Sequence, residues 1–157
     1  MLVSDLMTKD LIRIGPDDSV EVAVDLLRRR GVRHLLVMKK DRLVGIISDR
    51  DIKRALDPRK TRKKLLGIGG LYFLLEPILV REIMTPDPIT IEPDLPAHEA
   101  AAIMVAERFG ALPVVEDGET VGIITETDLL RYLVKLVSTP PPELKISPRT
   151  RPRGKRK

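Results

Sequence analysis

Apolar and polar residues form a series of strand-like and helix-like patterns along this chain, and the series occurs twice. Each half opens with a short apolar strand, continues with a helical pattern, then has two strands joined by a charged turn, and closes with a second helix. The predicted order in each half is therefore βαββα. The strands are predicted at "LIRI", "HLLVM" and "LVGIIS" (11–14, 34–38 and 43–48) and at "PITI", "ALPVVE" and "TVGIIT" (88–91, 111–116 and 120–125).

The first helix of each half has a predicted buried stripe of apolar side chains. In the first half, Ser19 or Asp18 can cap the start of this helix, and Gly31 marks its end. In the second half, Gly110 lies just past the corresponding helix. The stripes are Ala23, Leu26 and Leu27 in the first half, and Ala100, Ile103 and Met104 in the second.

The two halves are copies of one unit. A shift of 77 residues aligns Val3–Leu56 with Val80–Leu133 without a gap, and 18 of the 54 aligned positions are identical. A single copy of this size buries only a marginal core, so we expect the copies to pack pseudo-symmetrically as one α/β pair. The predicted organisation is repeat 1 at 1–57, a linker at 58–79, repeat 2 at 80–137 and a tail at 138–157.

The linker does not repeat, and it is basic and then apolar. "RKTRKK" (59–64) precedes "LLGIGGLYFLL" (65–75), which is too short to span a bilayer. One interpretation is a helix or hairpin that lies on the domain or at a subunit contact. The other is an element that binds a membrane surface.

Composition places the chain among soluble globular proteins. Hydrophobic residues make up 43% and charged residues 32%. No apolar run approaches the length of a bilayer span and no secretory signal pattern is present, so we expect a cytoplasmic protein. Without cysteine, disulfides and thiolate metal sites are excluded. Asparagine and glutamine are absent while ion-pairing residues are plentiful, which favours a thermophilic source.

The positive net charge of +5 comes from the end of the chain. "KISPRTRPRGKRK" (145–157) has seven Lys or Arg residues and no acid, so the remainder has 28 − 7 = 21 basic against 23 acidic residues. This Pro-broken tail is predicted to be disordered. An alternative function follows from it: nonspecific association with nucleic acid, with the repeats serving as a dimerisation scaffold. No aromatic platform or recognition helix accompanies the tail.

One phrase recurs at the start of the last helix of each copy. It reads "GIISDRD" at 45–51 and "GIITETD" at 122–128. Ser48 and Thr125, each with an aspartate three residues later, resemble a capping box, which needs no ligand. The same arrangement, after a buried strand, also suits an anion at a helix start, with Asp51 and Asp128 accepting hydrogen bonds from a ribose diol. Apolar side chains predicted to hold a flat base are Ile12, Ile14, Ile89, Ile91, Val37, Pro113 and Val114.

These features together resemble the CBS domain pair, or Bateman module, in its stand-alone tandem form. The resemblance covers both repeats, about 110 of the 157 residues, and includes the opening phrases "DLMTKD" and "EIMTPDPITI" and the stretch "ALPVVEDGETVGIIT". It implies two clefts between the repeats that bind an adenosine derivative. AMP, ADP or ATP is the first expectation, and S-adenosylmethionine is the second.

The resemblance also assigns roles to individual residues. Asp51 and Asp128 are expected to hold the ribose hydroxyls, and Ser48 and Thr125 to lie near ribose or phosphate. Thr127 adds a second hydroxyl in the Thr-x-Thr-Asp form found in some nucleotide-binding members. The adenine is expected at the residues that open the first strand of each copy: Asp10, Leu11, Ile12, Asp87, Pro88 and Ile89.

The copies differ where members of the family place residues that contact phosphate. Arg33 and His34 precede the second strand of repeat 1, whereas Gly110 and Ala111 stand there in repeat 2. We therefore predict unequal sites, with a phosphorylated ligand favouring the cleft that Arg33 and His34 reach. The alternative for His34 is a surface position without a role.

No catalytic constellation accompanies the repeats. His34 and His98 stand at non-equivalent places, and no HExxH, Walker A or GxSxG motif is present. The sequence therefore predicts a protein that is not an enzyme. We expect a homodimeric regulatory sensor that transmits binding of an adenosine nucleotide to an effector protein.

Overall fold

In this computed structural model, residues 1–57, 59 and 76–137 are described, together with the backbone of 65–68 and 71–74. The helices are α1 (Val3–Leu6), α2 (Val20–Arg30), α3 (Asp49–Ala55), α4 (Val80–Ile83), α5 (Ala97–Glu107) and α6 (Glu126–Leu136). The strands are β1 (Arg13–Ile14), β2 (His34–Lys39), β3 (Arg42–Ser48), β4 (Leu65–Ile68), β5 (Leu71–Leu74), β6 (Thr85–Pro86), β7 (Ala111–Glu116) and β8 (Glu119–Thr125). The predicted α/β fold of two repeats is confirmed, and each repeat also has a short opening helix, α1 or α4, which the pattern did not predict.

The second and third strands of each repeat form an antiparallel hairpin. In repeat 1, β2 pairs with β3 so that His34 lies opposite Ser48. In repeat 2, β7 pairs with β8 so that Ala111 lies opposite Thr125. Each hairpin therefore places the hydroxyl residue of the recurring phrase beside the residue that opens the neighbouring strand.

The opening helix of each repeat packs into the core of the other repeat. Val3 of α1 is buried among the core residues of repeat 2, and Val80 of α4 is buried in the core of repeat 1. The backbone N–H of Val3 donates to the carbonyl of Leu95 at 2.9 Å, and that of Val80 donates to Asp18 at 2.8 Å. Because each core needs a helix from the other repeat, the two repeats form one folding unit.

This exchange of opening helices explains why both copies of the recurring phrase begin with a glycine. A Cβ atom on Gly45 would stand 2.5 Å from the Met84 sulfur and 3.0 Å from the carbonyl oxygen of Thr85. Gly122 makes the same close approach to Met7. A side chain at either position would overlap the methionine that follows the opening helix of the other repeat and crowd the backbone beside it.

The structure corrects three local predictions. The strand predicted at "PITI" is only an isolated bridge between Ile91 and Val114, and the one predicted at "LIRI" is reduced to the two residues of β1. Ser19 occupies the position before α2 but makes no side-chain capping bond, and Asp18 instead accepts from the N–H of Gly15 at 2.8 Å. Gly31 ends α2 in the left-handed conformation as predicted. Gly110 lies just past α5 as predicted, and the left-handed residue at the end of that helix is Arg108.

The non-repeating segment contains the antiparallel hairpin β4–β5, which is one of the forms predicted for it. Its contact with a subunit or a membrane surface stays a prediction, because its side chains lie outside the described residues. The basic tail also lies outside them. Across the described ranges, no helix is long and apolar enough to cross a membrane.

Candidate functional site

The recurring phrase forms a complete side-chain cap in both repeats. The Ser48 hydroxyl accepts from the N–H of Asp51 at 3.2 Å, while the hydroxyl and N–H of Ser48 both donate to Asp51 Oδ2, at 2.7 and 2.9 Å. Thr125 and Asp128 repeat this geometry at 3.3, 2.6 and 2.9 Å. The capping interpretation is therefore confirmed for both helices.

Capping occupies only one oxygen of each aspartate. Every bond to the cap is accepted by Oδ2. Within the described residues, Asp51 Oδ1 accepts no hydrogen bond, and Asp128 Oδ1 has one weak contact at 3.5 Å to Arg131. The cap holds each carboxylate in a fixed orientation and leaves its second oxygen available to a ligand.

Each aspartate lies in the wall of a cavity that both repeats form. Cleft one, beside Asp51, has a volume of about 150 Å³ and is closed on its other side by Pro88 and Ile89 of repeat 2. Cleft two, beside Asp128, has a volume of about 490 Å³ and is closed by Asp10 and Ile12 of repeat 1. Each cleft thus combines the recurring phrase of one repeat with the first-strand edge of the other.

Most of the predicted site residues line one of these clefts. The structure places Ser48, Asp51, Pro88 and Ile89 in cleft one, places Asp10, Ile12, Thr125, Thr127 and Asp128 in cleft two, and places Arg33 and His34 in both.

Three of the predicted residues, Leu11, Asp87 and Pro113, belong to neither cleft wall. Asp87 is exposed beyond the edge of cleft one, with a left-handed backbone (φ 45°). Pro113 is fully buried. Other apolar positions predicted to hold a base belong to the two cores and cannot face a ligand: Ile14, Val37, Ile91 and Val114.

Arg33 and His34 stand where the two clefts meet, so they reach both clefts rather than one. The His34 ring packs over Gly110, where an added Cβ atom would lie 3.1 Å from Nε2. Burial lowers the pKa of His34, and the charge of Arg33 acts in the same direction against the carboxylates of Asp49, Asp51 and Glu126. His34 is therefore favoured in its neutral form, able to donate from one nitrogen and accept at the other.

Besides Arg33, five arginines that the sequence did not indicate line the two clefts. Arg50, Arg54 and Arg108 line cleft one, and Arg30 and Arg131 line cleft two. Arg50 lies inside the recurring phrase, so its difference from Thr127 at the equivalent position was a usable signal. Arg30, Arg54 and Arg108 lie at helix ends and Arg131 lies in the middle of α6, so whether they face a cleft depends on how the repeats pack.

The comparisons with known proteins agree with this geometry. The protein-family model described as the CBS domain matches residues 3–58 and again 80–135. A CBS domain-containing protein of Dictyostelium discoideum is 35% identical over 149 residues, which cover 91% of this chain and 98% of that protein. Inosine-5′-monophosphate dehydrogenase of Korarchaeum cryptofilum is 38% identical over 122 residues, which cover 77% of this chain but only 22% of that enzyme.

Two solved structures with similar folds contain adenosine ligands. The CBS domain pair of protein MJ0100, in complex with 5′-methylthioadenosine and S-adenosyl-L-methionine, superposes with a TM-score of 0.72 at 29% identity, over 87% of this chain and 98% of that one. CBSX2 of Arabidopsis thaliana, in complex with AMP, superposes with a TM-score of 0.67 at 30% identity, also over 87% and 98%.

Proposed function

The chain belongs to the CBS domain family and folds as a CBS domain pair, and from this premise we propose that it is a regulatory module that binds an adenosine nucleotide between its repeats. It performs no catalysis itself in this proposal. Its output is a change in how the two repeats sit against each other, which an effector protein reads.

One observation carries the proposal. Asp51 and Asp128 are each fixed by a cap through Oδ2, and each lies in the wall of a cavity that both repeats line. A carboxylate whose second oxygen faces a cavity can accept hydrogen bonds from the two hydroxyls of a ribose. Ile12 and Ile89 line the opposite walls and offer apolar contact to a base.

The class of ligand is supported by the similar structures. One contains AMP and the other contains 5′-methylthioadenosine with S-adenosyl-L-methionine, so adenosine is common to all three ligands. We propose AMP, ADP or ATP for this chain, because Arg33 and His34 line both clefts and can contact phosphate.

The expected affinity suits a sensor of cellular nucleotides. Each charge-assisted hydrogen bond to ribose contributes roughly 1.5–3 kcal/mol, and burying about 100–150 Å² of base contributes roughly 3 kcal/mol. Association costs at least about 4 kcal/mol. With two such hydrogen bonds the balance is about 2–5 kcal/mol, which corresponds to a dissociation constant between about 30 mM and 0.2 mM before any contact to phosphate is counted.

Ligand binding would act on the contact between the repeats. A nucleotide in either cleft touches the recurring phrase of one repeat and the first-strand edge of the other, and that edge continues from the exchanged helix α1 or α4. Binding would therefore favour the arrangement in which the repeats lie closest, which shifts the population between two states.

We also propose that the protein is a homodimer. Helix α6 has no fully buried side chain, and Leu130, Leu133 and Val134 are between 54% and 65% exposed. Because soluble monomers rarely leave such a contiguous apolar patch in water, we assign this face to a second copy of the chain.

A ligand screen tests the proposed function. We expect AMP, ADP or ATP to raise the melting temperature of the full chain, because a ligand that binds only the folded state stabilises it, and GTP to raise it less. Calorimetric titration of the best ligand should then give a dissociation constant at the tight end of the stated range or below it. If no adenosine compound shifts the melting temperature at millimolar concentration, the proposal is wrong.

A further inference from the structure

The arginines of the two clefts differ in whether they have ion-pair partners. In cleft two, Arg30 Nη2 lies 2.7 Å from Asp10 Oδ2, and Arg131 Nη1 lies 3.5 Å from Asp128 Oδ1. Both guanidinium groups already have a carboxylate partner. A phosphate entering cleft two must compete with these ion pairs.

Cleft one has arginines without such partners. Arg50, Arg54 and Arg108 line it, and none of the three has a side-chain hydrogen bond or ion pair within the part of the chain that the structure describes. The equivalent residues of the other repeat are Thr127, Arg131 and Gly31. Two of the three arginines are therefore specific to cleft one.

The three carboxylates that line cleft one, Asp49, Asp51 and Glu126, form no ion pair with these arginines within the described residues. Asp49 is held by Arg33 at 3.7 Å and by Lys53 at 3.3 Å, and Asp51 Oδ2 is held by the Ser48 cap. Glu126 lies on the side of Gly110, where its Oε2 would be 3.7 Å from a Cβ atom on that glycine. The guanidinium groups of Arg50, Arg54 and Arg108 are therefore available to pair with a ligand that has several negative charges.

From this difference we infer that cleft one binds a nucleoside di- or triphosphate, with Arg50, Arg54 and Arg108 on its polyphosphate chain, whereas cleft two binds an adenosine ligand of lower charge. The inference rests on the proposed function and narrows the ligand of each cleft. Arg108 and Phe109 line cleft one at the positions where Gly31 and Val32 line cleft two, and cleft one is the smaller cavity. The exposed arginines lie at its rim, where a chain of phosphates extends toward solvent.

The duplication supplies matched variants for the test. Arg50→Thr and Arg108→Gly each install the residue of the other repeat, and Gly suits position 108 because its backbone is left-handed (φ 59°). With cleft two disabled by Asp128→Ala, calorimetry compares ATP with adenosine, which has the same base and ribose. We expect ATP to bind at least about tenfold more tightly than adenosine. The added double variant Arg50→Thr/Arg108→Gly should reduce this difference, because it removes two of the three arginines that we assign to the polyphosphate chain.

The reciprocal variant tests the same inference in cleft two. With cleft one disabled by Asp51→Ala, ATP should show little advantage over adenosine, and Thr127→Arg should raise ATP affinity by about fivefold or more. The inference is overturned if ATP and adenosine bind equally to Asp128→Ala, if neither binds to it while wild type binds, or if ATP affinity survives Arg50→Thr/Arg108→Gly. Absence of binding of either compound to wild type would instead overturn the proposed function.

Discussion

The sulfur of Met84, just after the opening helix of repeat 2, lies directly over Gly45 on the third strand of repeat 1. Met7 lies over Gly122 in the same way. Both contacts join the opening segment of one repeat to the third strand of the other, and all four residues lie outside the cleft walls. We therefore expect these contacts to affect stability and, through the packing of the repeats, the proposed ligand binding.

Substitution of Gly45 tests this contact. The Cβ atom of Gly45→Ala would overlap Met84 and the carbonyl of Thr85, so we expect a loss of about 1–3 kcal/mol in the free energy of unfolding, measured by urea denaturation. In the double variant Gly45→Ala/Met84→Ala part of the overlap is removed, so the two effects should differ from additivity by at least about 0.5 kcal/mol. Strict additivity would show that the contact does not constrain the repeats.

The side-chain caps predict that alanine substitution of Ser48 destabilises the protein more than alanine substitution of Ser19. Ser48→Ala removes a hydroxyl that caps α3, and we expect a loss of about 1 kcal/mol in the free energy of unfolding. Ser19→Ala is the matched control, because Ser19 precedes α2 without a side-chain capping bond, and its effect should stay within about 0.5 kcal/mol. Equal losses for the two variants would contradict the assignment of the caps.

The lowered pKa of His34 predicts a pH dependence of stability. The unfolded chain has a histidine pKa near the ordinary 6.5, and burial beside Arg33 makes the folded value lower. Between these two values the unfolded state binds more protons, so stability falls as the pH drops through about 6.5 and the loss is complete below the folded pKa.

His34→Ala introduces the residue of the equivalent position in repeat 2, Ala111. It should reduce the change in stability with pH near and below about pH 6.5. Melting temperatures measured between about pH 5 and pH 8 distinguish the two chains. Carboxylates facing the ring (Asp49, Asp51 and Glu126) remain in the variant, so they provide an internal reference. Parallel profiles for wild type and His34→Ala would mean that the ring contributes nothing to this dependence.

The apolar face of α6 predicts an oligomer that one charge can disrupt. Leu133→Lys places an ammonium group in the centre of the proposed contact, and we expect light scattering to report a monomer at micromolar concentration where wild type is a dimer. Glu119→Lys, at the start of β8 in the exposed turn, adds positive charge away from α6 and should leave the dimer intact. A monomeric wild type would remove the basis for this proposal.

The features that the sequence predicted correctly involve residues close together in the chain. The caps at Ser48 and Thr125 follow from residue type and spacing within four positions, and the hairpins follow from apolar runs joined by a charged turn. Both features appear in the structure as the pattern indicated.

The arrangement of the clefts depends on contacts distant in the chain, and the pattern did not predict it. Because α1 and α4 are exchanged, Asp51 faces Pro88 and Ile89 of the other repeat, and Asp128 faces Asp10 and Ile12. For the same reason the sequence could not assign Arg33 and His34 to one cleft. An apolar residue on a predicted strand can face either a ligand or the core. Only the packing of the repeats shows that Ile12 lines a cleft while Pro113 is buried in the core.

The most direct test of the account is calorimetric titration of AMP into wild type, Asp51→Ala, Asp128→Ala and the double variant. Asp5→Ala is the control, since Asp5 accepts from the N–H of Leu2 at 2.8 Å at the start of α1 and lines neither cleft. Loss of the ribose contacts should weaken binding in the altered cleft by about 10- to 100-fold. We predict that the double variant, verified as folded by circular dichroism, binds no AMP while Asp5→Ala binds as wild type does; a folded double variant that binds AMP with wild-type affinity would contradict the account.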